Sequence, residues 1–441
     1  MKKLLITLSL ISSFAMISCD DYLDIQPKDR VIPSTLQEYR ELLTSGYNAF
    51  PNAKSKASVR TDELEINPKD FSANNYKDIF LWNDRDYDAE TSEFSYDLLY
   101  RSIFYTNEVI NHVGKLQSNE EQKQLLAEAH ALRAYTYFEL ANLFAKPYNA
   151  QNTEEKGVPI VLTTDLEKEN RPESIAKIYA LIEDDLAKAE SLMHIEKADN
   201  KTPYRFSKIS LNALISRVAL YKGEWQKSID YANKVLAKNS NLLDLNKNED
   251  NILPNQVSSP ENIMALDYAI DSKVRQLAFV SDELLKLYDQ NDDLRFSLYY
   301  TQVKDSDKYQ TVKGNNTDFK CSFRIGEIML VKAEALLKLK QEDEAKEVLN
   351  QLAKTRYNAE GLKKFSENLN SLNGENLWTE FMNERQREVA FEGYRWFDLR
   401  RNDQKEIKHT YNDVERILQK NDPRYTIAFP KSARQENPFL Q

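Results

Sequence analysis

The stretch LYKGEWQKSIDYANKVL, Leu220 to Leu236, decides the fold because it holds the bend between two amphipathic helices. Reading outward from it, Ser207 to Lys222 carries Leu211, Leu214, Ile215 and Val218 at helical spacing. Trp225 to Lys238 answers with Ile229, Ala232, Val235 and Leu236. Gly223 and Glu224 form the bend, and glycine ends a helix in a left-handed backbone with the least strain. Two apolar stripes joined by so short a bend must face each other, which predicts an antiparallel helix pair.

The string follows the tetratricopeptide pattern, with Ser228 where Ala is usual. A second such pair is expected from Phe323 to Leu339 and Glu342 to Leu352, with Ala333, Leu336, Ala345, Leu349 and Leu352 in packing positions. The pairs lie far apart in the chain, which excludes a simple tandem array. Further helices are predicted near Phe94 to His112 and from about Glu120 to Ala145, stopped by Pro147. Another starts at Pro172 and Glu173 and carries Ile175, Ile178, Tyr179, Ile182, Leu186, Ala189 and Met193 on one side. Residues 51–90 and 243–316 do not look helical, and alternation at Phe296, Leu298, Tyr300 and Gln302 suggests a short strand. Loops of such length are usually functional. The fold class expected is all-α dominated: tetratricopeptide-like helix pairs form a scaffold with long irregular loop insertions and a few short strands.

Nine glycines in 441 residues disfavour glycine-cornered barrels, and no GxGxxG, GxxxxGK[ST] or GxSxG occurs, so no nucleotide loop or nucleophile elbow is visible. At the start, Lys2 and Lys3 precede an apolar run from Leu4 to Ile17 that stops at Ser18 and Cys19. The run is short for a membrane span, which needs about 20 apolar residues. It reads as a signal peptide, residues 1–18, with Cys19 as the lipidation site and lipid as the membrane anchor. Cys321 then has no partner within the chain and reads as a small packed hydrophobe. Losing Lys2 and Lys3 takes the net charge from −10 to −12, which does not suit nucleic acid. With no Ser/Gly linker or low-complexity block, 19–441 reads as a single globular unit.

Several blocks in order resemble the SusD/RagB family along nearly the whole mature chain. Asp20-Asp21-Tyr22-Leu23-Asp24 and Pro27 look like its lead. Glu128-Ala129-His130-Ala131-Leu132-Arg133-Ala134 before Tyr137-Phe138, then Gly157-Val158-Pro159, Asp185-Leu186 with Ala189, and Asp293-Leu294-Arg295 follow. The strongest block is FMNERQREVAFEGYRWFDLRR, Phe381 to Arg401, and Phe429-Pro430 with Asn437-Pro438 look like the family's close. Departures are His130 where Arg is common, Gly326 in place of a larger residue, and no final Asn. The resemblance implies a SusD-like α superhelix, with a SusD-like N-terminal portion at 19–240 and a SusD/RagB C-terminal portion at 241–441. It also implies a cell-surface outer-membrane lipoprotein, not an enzyme and without a cofactor. Such a protein caps a SusC-like TonB-dependent transporter and passes on a nutrient, most commonly an oligosaccharide and in some members a peptide.

Glu384, Glu388 and Glu392 stand at i, i+4 spacing, where like charges repel unless cations intervene. Arg385, Arg387, Arg395 and Arg400 are at hand, with Asp398 nearby, so a structural Arg/Glu network is expected, extended by Arg324 and Glu327. Neutralised carboxylates are poor general acids, which argues against a surface hydrolase. His112, His130, His194 and His409 have no metal-ligand spacing and read as surface or cap residues, so no metal site is expected. Trp225, Trp378 and Trp396 fall on helical patterns, whereas Trp82 does not. Trp82 and Tyr87 as stacking faces, Asn83 and Asp86 as hydrogen-bonding neighbours, and Tyr299 or Tyr300 from the later segment are the expected ligand surface. A tetratricopeptide assembly lipoprotein, binding a protein in its groove, is the competing reading; the long loops and the Phe381 to Arg401 block argue against it.

Overall fold

The computed structural model describes residues 33–163, 169–314 and 316–441. The expected leader, Cys19 and the acidic lead at 20–27 lie outside the described residues. The longest helix, Glu120–Phe144, starts at Asn119, whose side chain accepts from the Gln122 N–H at 2.8 Å. From Ala127 to Phe144 it is buried on every side, as a helix must be when others surround it. Tyr96–Val113 and Ile175–Leu192 pack against it, and Leu36–Asn48, which opens with a Thr35/Glu38 capping box, packs on Tyr96–Val113.

The helix pair read first is Lys208–Lys222 and Trp225–Leu236, with Gly223 at φ +79° in the bend. Ser228 has a reason to replace Ala. Its hydroxyl donates to the Ser216 carbonyl at 2.9 Å while the Ser216 hydroxyl donates to the Ser228 carbonyl at 2.8 Å, so each buried hydroxyl is satisfied across the pair. Ile325–Lys338 packs against both helices of this pair and forms the second pair with Glu342–Ala353, on which Ala359–Ser371 lies. The two pairs are remote in sequence and adjacent in space. The chain is all-α dominated, and its described strands form short antiparallel two-stranded ribbons.

Three expectations need correction. Pro172–Ser174 is a strand pairing with Lys156–Pro159, and the helix begins at Ile175 because Ser174, not Pro172, supplies the cap. Leu294–Tyr299 is a helix capped by Asp293, and the strand is confined to Tyr300–Gln302, paired with Tyr309–Thr311. The two long segments hold short helices, among them Ala53–Ser58, Asn74–Phe80 and Ser272–Leu277. A ribbon between Leu64–Ile66 and Ala278–Val280 joins the segments.

Candidate functional site

The Phe381 to Arg401 block is best followed from its helix, Gly374–Val389. Glu384 and Glu388 lie on the last turns, but Glu392 is past the helix end. The chain reverses there through Phe391 at φ +57° and Gly393 at φ +78°, so the three glutamates do not share a helix face. Four cations from distant segments converge on them. Arg295 reaches Glu384 at 2.7 Å and Glu388 at 3.1 Å, Arg324 reaches Glu388 and Glu392 at 2.7 Å each, and Lys313 reaches Glu392 at 2.7 Å. Arg356 holds both Glu388 and Glu261. Burial alone would raise the Glu388 carboxyl, but Arg356 and Arg324 hold it well below the usual carboxylate range.

The remaining members separate into other groups. Arg385 and Arg401 share Asp398, and Arg401 also meets Glu334. Arg395 is bidentate to Asp62, at 2.8 and 2.6 Å, and not to Glu388. Glu327 belongs to Arg217 and not to Arg324. Arg400 makes no ion pair among the described residues: it donates to the Ala145 carbonyl, and burial pushes its guanidinium down to about 9. It therefore leaves the expected network.

The expected ligand surface is largely inside the molecule. Trp82 is 1% exposed; its indole N–H donates to the Arg60 carbonyl at 3.1 Å and its ring stacks on His409 at 4.3 Å. Tyr87 is buried with its hydroxyl on Asp84 at 3.2 Å. Tyr299 lies under Lys313, whose ammonium is 3.7 Å from the ring centre, and Tyr300 bonds the Tyr288 hydroxyl at 2.9 Å. None of the four rings is a stacking face. The surface that buries Trp82 comes from the Ile407–Tyr411 strand, far along the chain, and no local stripe announces it. His409 is likewise no surface residue: it is sandwiched between Phe80 and Trp82, and burial pushes its imidazole down to about 4. His130 is buried against Asp185 at 2.6 Å, where it shares that carboxylate with Arg133. Cys321 is buried as a packed thiol, and burial raises it far above its usual value.

Asn83 and Asp86 do reach the surface. The buried Asp78 carboxylate folds the loop that carries them, accepting from the Asp88 N–H at 2.7 Å, the Thr91 hydroxyl at 2.6 Å and the Asn83 amide at 3.2 Å. They line a cleft of about 1150 Å³ with Asn412, Arg416, Arg424 and Phe429. Its cations are partly engaged: Lys77 with Asp88, Arg424 with Asp422, Arg434 with backbone carbonyls.

The same loop borders a second cleft, of about 610 Å³, through Ser92 and Ser95. Half-buried Phe50 and Tyr268 line it with Asn48 and Asn52; the Phe50 ring is stacked on Tyr135 at 5.0 Å, which leaves at most its other face for a ligand. Lys56, Arg101, Lys273 and Lys320 complete the wall. Sequence reasoning missed these residues because they come from separate segments between Asn48 and Lys320 and no local motif marks them. A third opening, about 460 Å³ and mainly apolar, runs between Tyr96–Val113 and the C-terminal Lys431–Glu436 helix.

Comparison with known proteins fits this architecture. A family model described as "Starch-binding associating with outer membrane" matches residues 21–220, and one described as "SusD family" matches residues 283–438. A SusD-like protein of Formosa agariphila is 24% identical, with 89% of this chain and 90% of that protein covered. A SusD superfamily protein of Bacteroides thetaiotaomicron superposes with a TM-score of 0.78 at 20% identity, covering 92% of this chain and 99% of that one. A SusD-like carbohydrate binding protein of Bacteroides vulgatus superposes with a TM-score of 0.69 at 18% identity, covering 92% and 98%. Two family matches that span most of the chain in the right order, on a matching fold, identify it as a member of the SusD/RagB family.

Proposed function

We propose that the protein is a lipoprotein of the outer-membrane surface, anchored at Cys19, that binds a nutrient oligosaccharide and hands it to a SusC-like TonB-dependent transporter. The carrying observation is the 610 Å³ cleft, which Phe50 and Tyr268 line together with Asn48 and Asn52. Flat rings cover sugar faces at little entropic cost and amides orient hydroxyls. Asn83 and Asp86, on the far side of the shared loop, extend the polar surface to the larger cleft. A binding role without turnover suits the buried carboxylates of the Phe381 to Arg401 block, which are tied to guanidiniums and so are poor proton donors.

No described helix is long and apolar enough to cross a membrane, so attachment is assigned to the Cys19 lipid. The test of the anchor is Cys19→Ala, which should leave the outer-membrane fraction; continued fractionation with that membrane refutes lipid attachment there. The test of the site is a glycan array on the purified protein, repeated with Phe50→Ala and Tyr268→Ala. Retention without turnover, lost in both variants while each remains folded at the assay temperature, supports the reading. Hydrolysis of a retained glycan, or retention unaffected by either substitution, refutes it.

A further inference from the structure

The chain carries a net charge of −10, yet among the described residues four cations line the 610 Å³ cleft against one carboxylate, Asp271. That carboxylate is already engaged, accepting from the Val274 N–H at 2.9 Å as the cap of Ser272–Leu277. Among the described residues, the one ion pair made by Lys56, Arg101, Lys273 or Lys320 is Arg101 with Asp97 at 3.8 Å, both largely exposed. Lys56 donates to the Glu93 carbonyl, and Lys320 stands 4.8 Å from the Tyr268 ring centre. The contrast with the interior is direct: Arg295, Arg324, Arg356 and Lys313 each meet a carboxylate there.

Burial lowers both Lys56 and Lys320 from the ordinary lysine range. Asp271, Asp97 and Glu93 act on Lys56 in the opposite sense, and nearby Lys273 depresses it further. Lys56, Lys273 and Lys320 are in no ion pair among the described residues, so an anion entering this partly desolvated cleft would meet cations that no carboxylate yet holds at contact distance.

We infer that the ligand of this cleft is an anionic oligosaccharide, its carboxylate or sulfate groups held by Lys56, Lys273 and Lys320 while sugar faces rest on Phe50 and Tyr268. The inference rests on the proposed placement of the nutrient site in this cleft. A saccharide is favoured over an acidic peptide because two aromatic residues and two asparagines line the cleft with the cations, a combination that matches pyranose faces and hydroxyls.

The experiment measures binding of hexagalacturonate, a sulfated galactan hexasaccharide, maltohexaose and hexaglutamate to the full chain, in low salt of about 50 mM and high salt of about 500 mM. Wild type is expected to bind one or both acidic saccharides, more weakly at high salt, and to leave maltohexaose and hexaglutamate unbound. Lys273→Gln and Lys320→Gln should each weaken that binding about tenfold at unchanged Tm. The uronate and the sulfate probes separate the two sources of charge. Maltohexaose binding that ignores salt and both variants overturns the anionic assignment and leaves the saccharide reading intact. Preferential binding of hexaglutamate overturns the saccharide class, and failure of both acidic saccharides overturns the inference.

Discussion

Arg356 and Glu388 meet through two parallel hydrogen bonds, Nε to Oε2 and Nη2 to Oε1, both 2.8 Å, with neither side chain exposed. This fork-to-fork geometry ties the turn at the end of Glu342–Ala353 to the last turn of Gly374–Val389. Glu388 also accepts from Arg295 and Arg324, so three guanidiniums depend on one carboxylate.

Glu388→Ala should therefore destabilise strongly. Removing one partner from a buried ion pair leaves an uncompensated charge, at a cost of about 3–5 kcal/mol. Urea unfolding measures it. A variant that melts with wild type but no longer retains ligand would move Glu388 from the scaffold to the site.

Gly326→Ala offers a case where helix propensity and packing oppose each other. Within Ile325–Lys338, alanine would ordinarily gain about 1 kcal/mol over glycine. A Cβ at this position, however, would meet the Arg324 guanidinium and lie 2.7 Å from Glu388 Oε1. Overpacking of that kind costs about 1–3 kcal/mol, and displacing the ion pair adds to it. The expected sign is a lower Tm; a higher one would show that the network tolerates displacement. The glycine that departs from the family pattern is thus explained by the charges beside it.

The legible parts of this molecule were those whose cause is local. Gly223 and the stripes of the two helix pairs are local signals, and the helices stand within a few residues of where periodicity puts them. The acidic and basic residue types of the Phe381 to Arg401 block were legible as a network, but their partners were not. Arg356, Glu261 and Asp62 arrive from separate segments, so Arg395 found Asp62 and Arg400 found a carbonyl. The ligand surface was the least legible, since whether a ring in a loop is exposed depends on what folds over it.

Asp78→Ala should loosen the loop that separates the two clefts without unfolding the protein. The carboxylate holds the Asp88 N–H, the Thr91 hydroxyl and the Asn83 amide. Its loss leaves the buried Thr91 hydroxyl unpaired, at about 1–3 kcal/mol, and releases two donors that water can reach, so the effect is concentrated in one segment. Hydrogen exchange should quicken at residues 83–91 first. Uniform quickening over the whole chain would contradict a local role.

Glu63 carries a pH signature. Burial, with Asp62 adding to it and Arg395 opposing it, pushes its carboxyl up to about 8, and one of its oxygens has no hydrogen-bond partner among the described residues. A folded value raised from 4.5 means that folding favours the protonated form. The contribution is fully present below about pH 4.5 and is lost as pH rises through about 8. Glu63→Gln keeps the shape and cannot ionise, so its stability relative to wild type should grow across that window by up to about 1.4 kcal/mol per pH unit. Paired urea titrations at both ends of the window check this, and a difference independent of pH would refute a buried neutral acid.

Trp82→Ala separates a loop anchor from a ligand platform. The ring is closed off by His409 on one face, and its N–H is spent on the Arg60 carbonyl. Truncating a fully buried tryptophan typically costs about 3–5 kcal/mol, so a marked fall in Tm is expected, and any loss of ligand retention should come with it. Asn83→Ala, one position on and exposed, should shift stability by no more than about 0.5 kcal/mol. Phe50→Ala is the informative contrast, because its half-buried ring lines the basic cleft while stacking on Tyr135, so its loss should remove retention with a smaller fall in Tm than Trp82→Ala. If Trp82→Ala melts like wild type and alone abolishes retention, the ring is a stacking face after all. The ligand would then sit in the larger cleft beside Asn83 and Asp86.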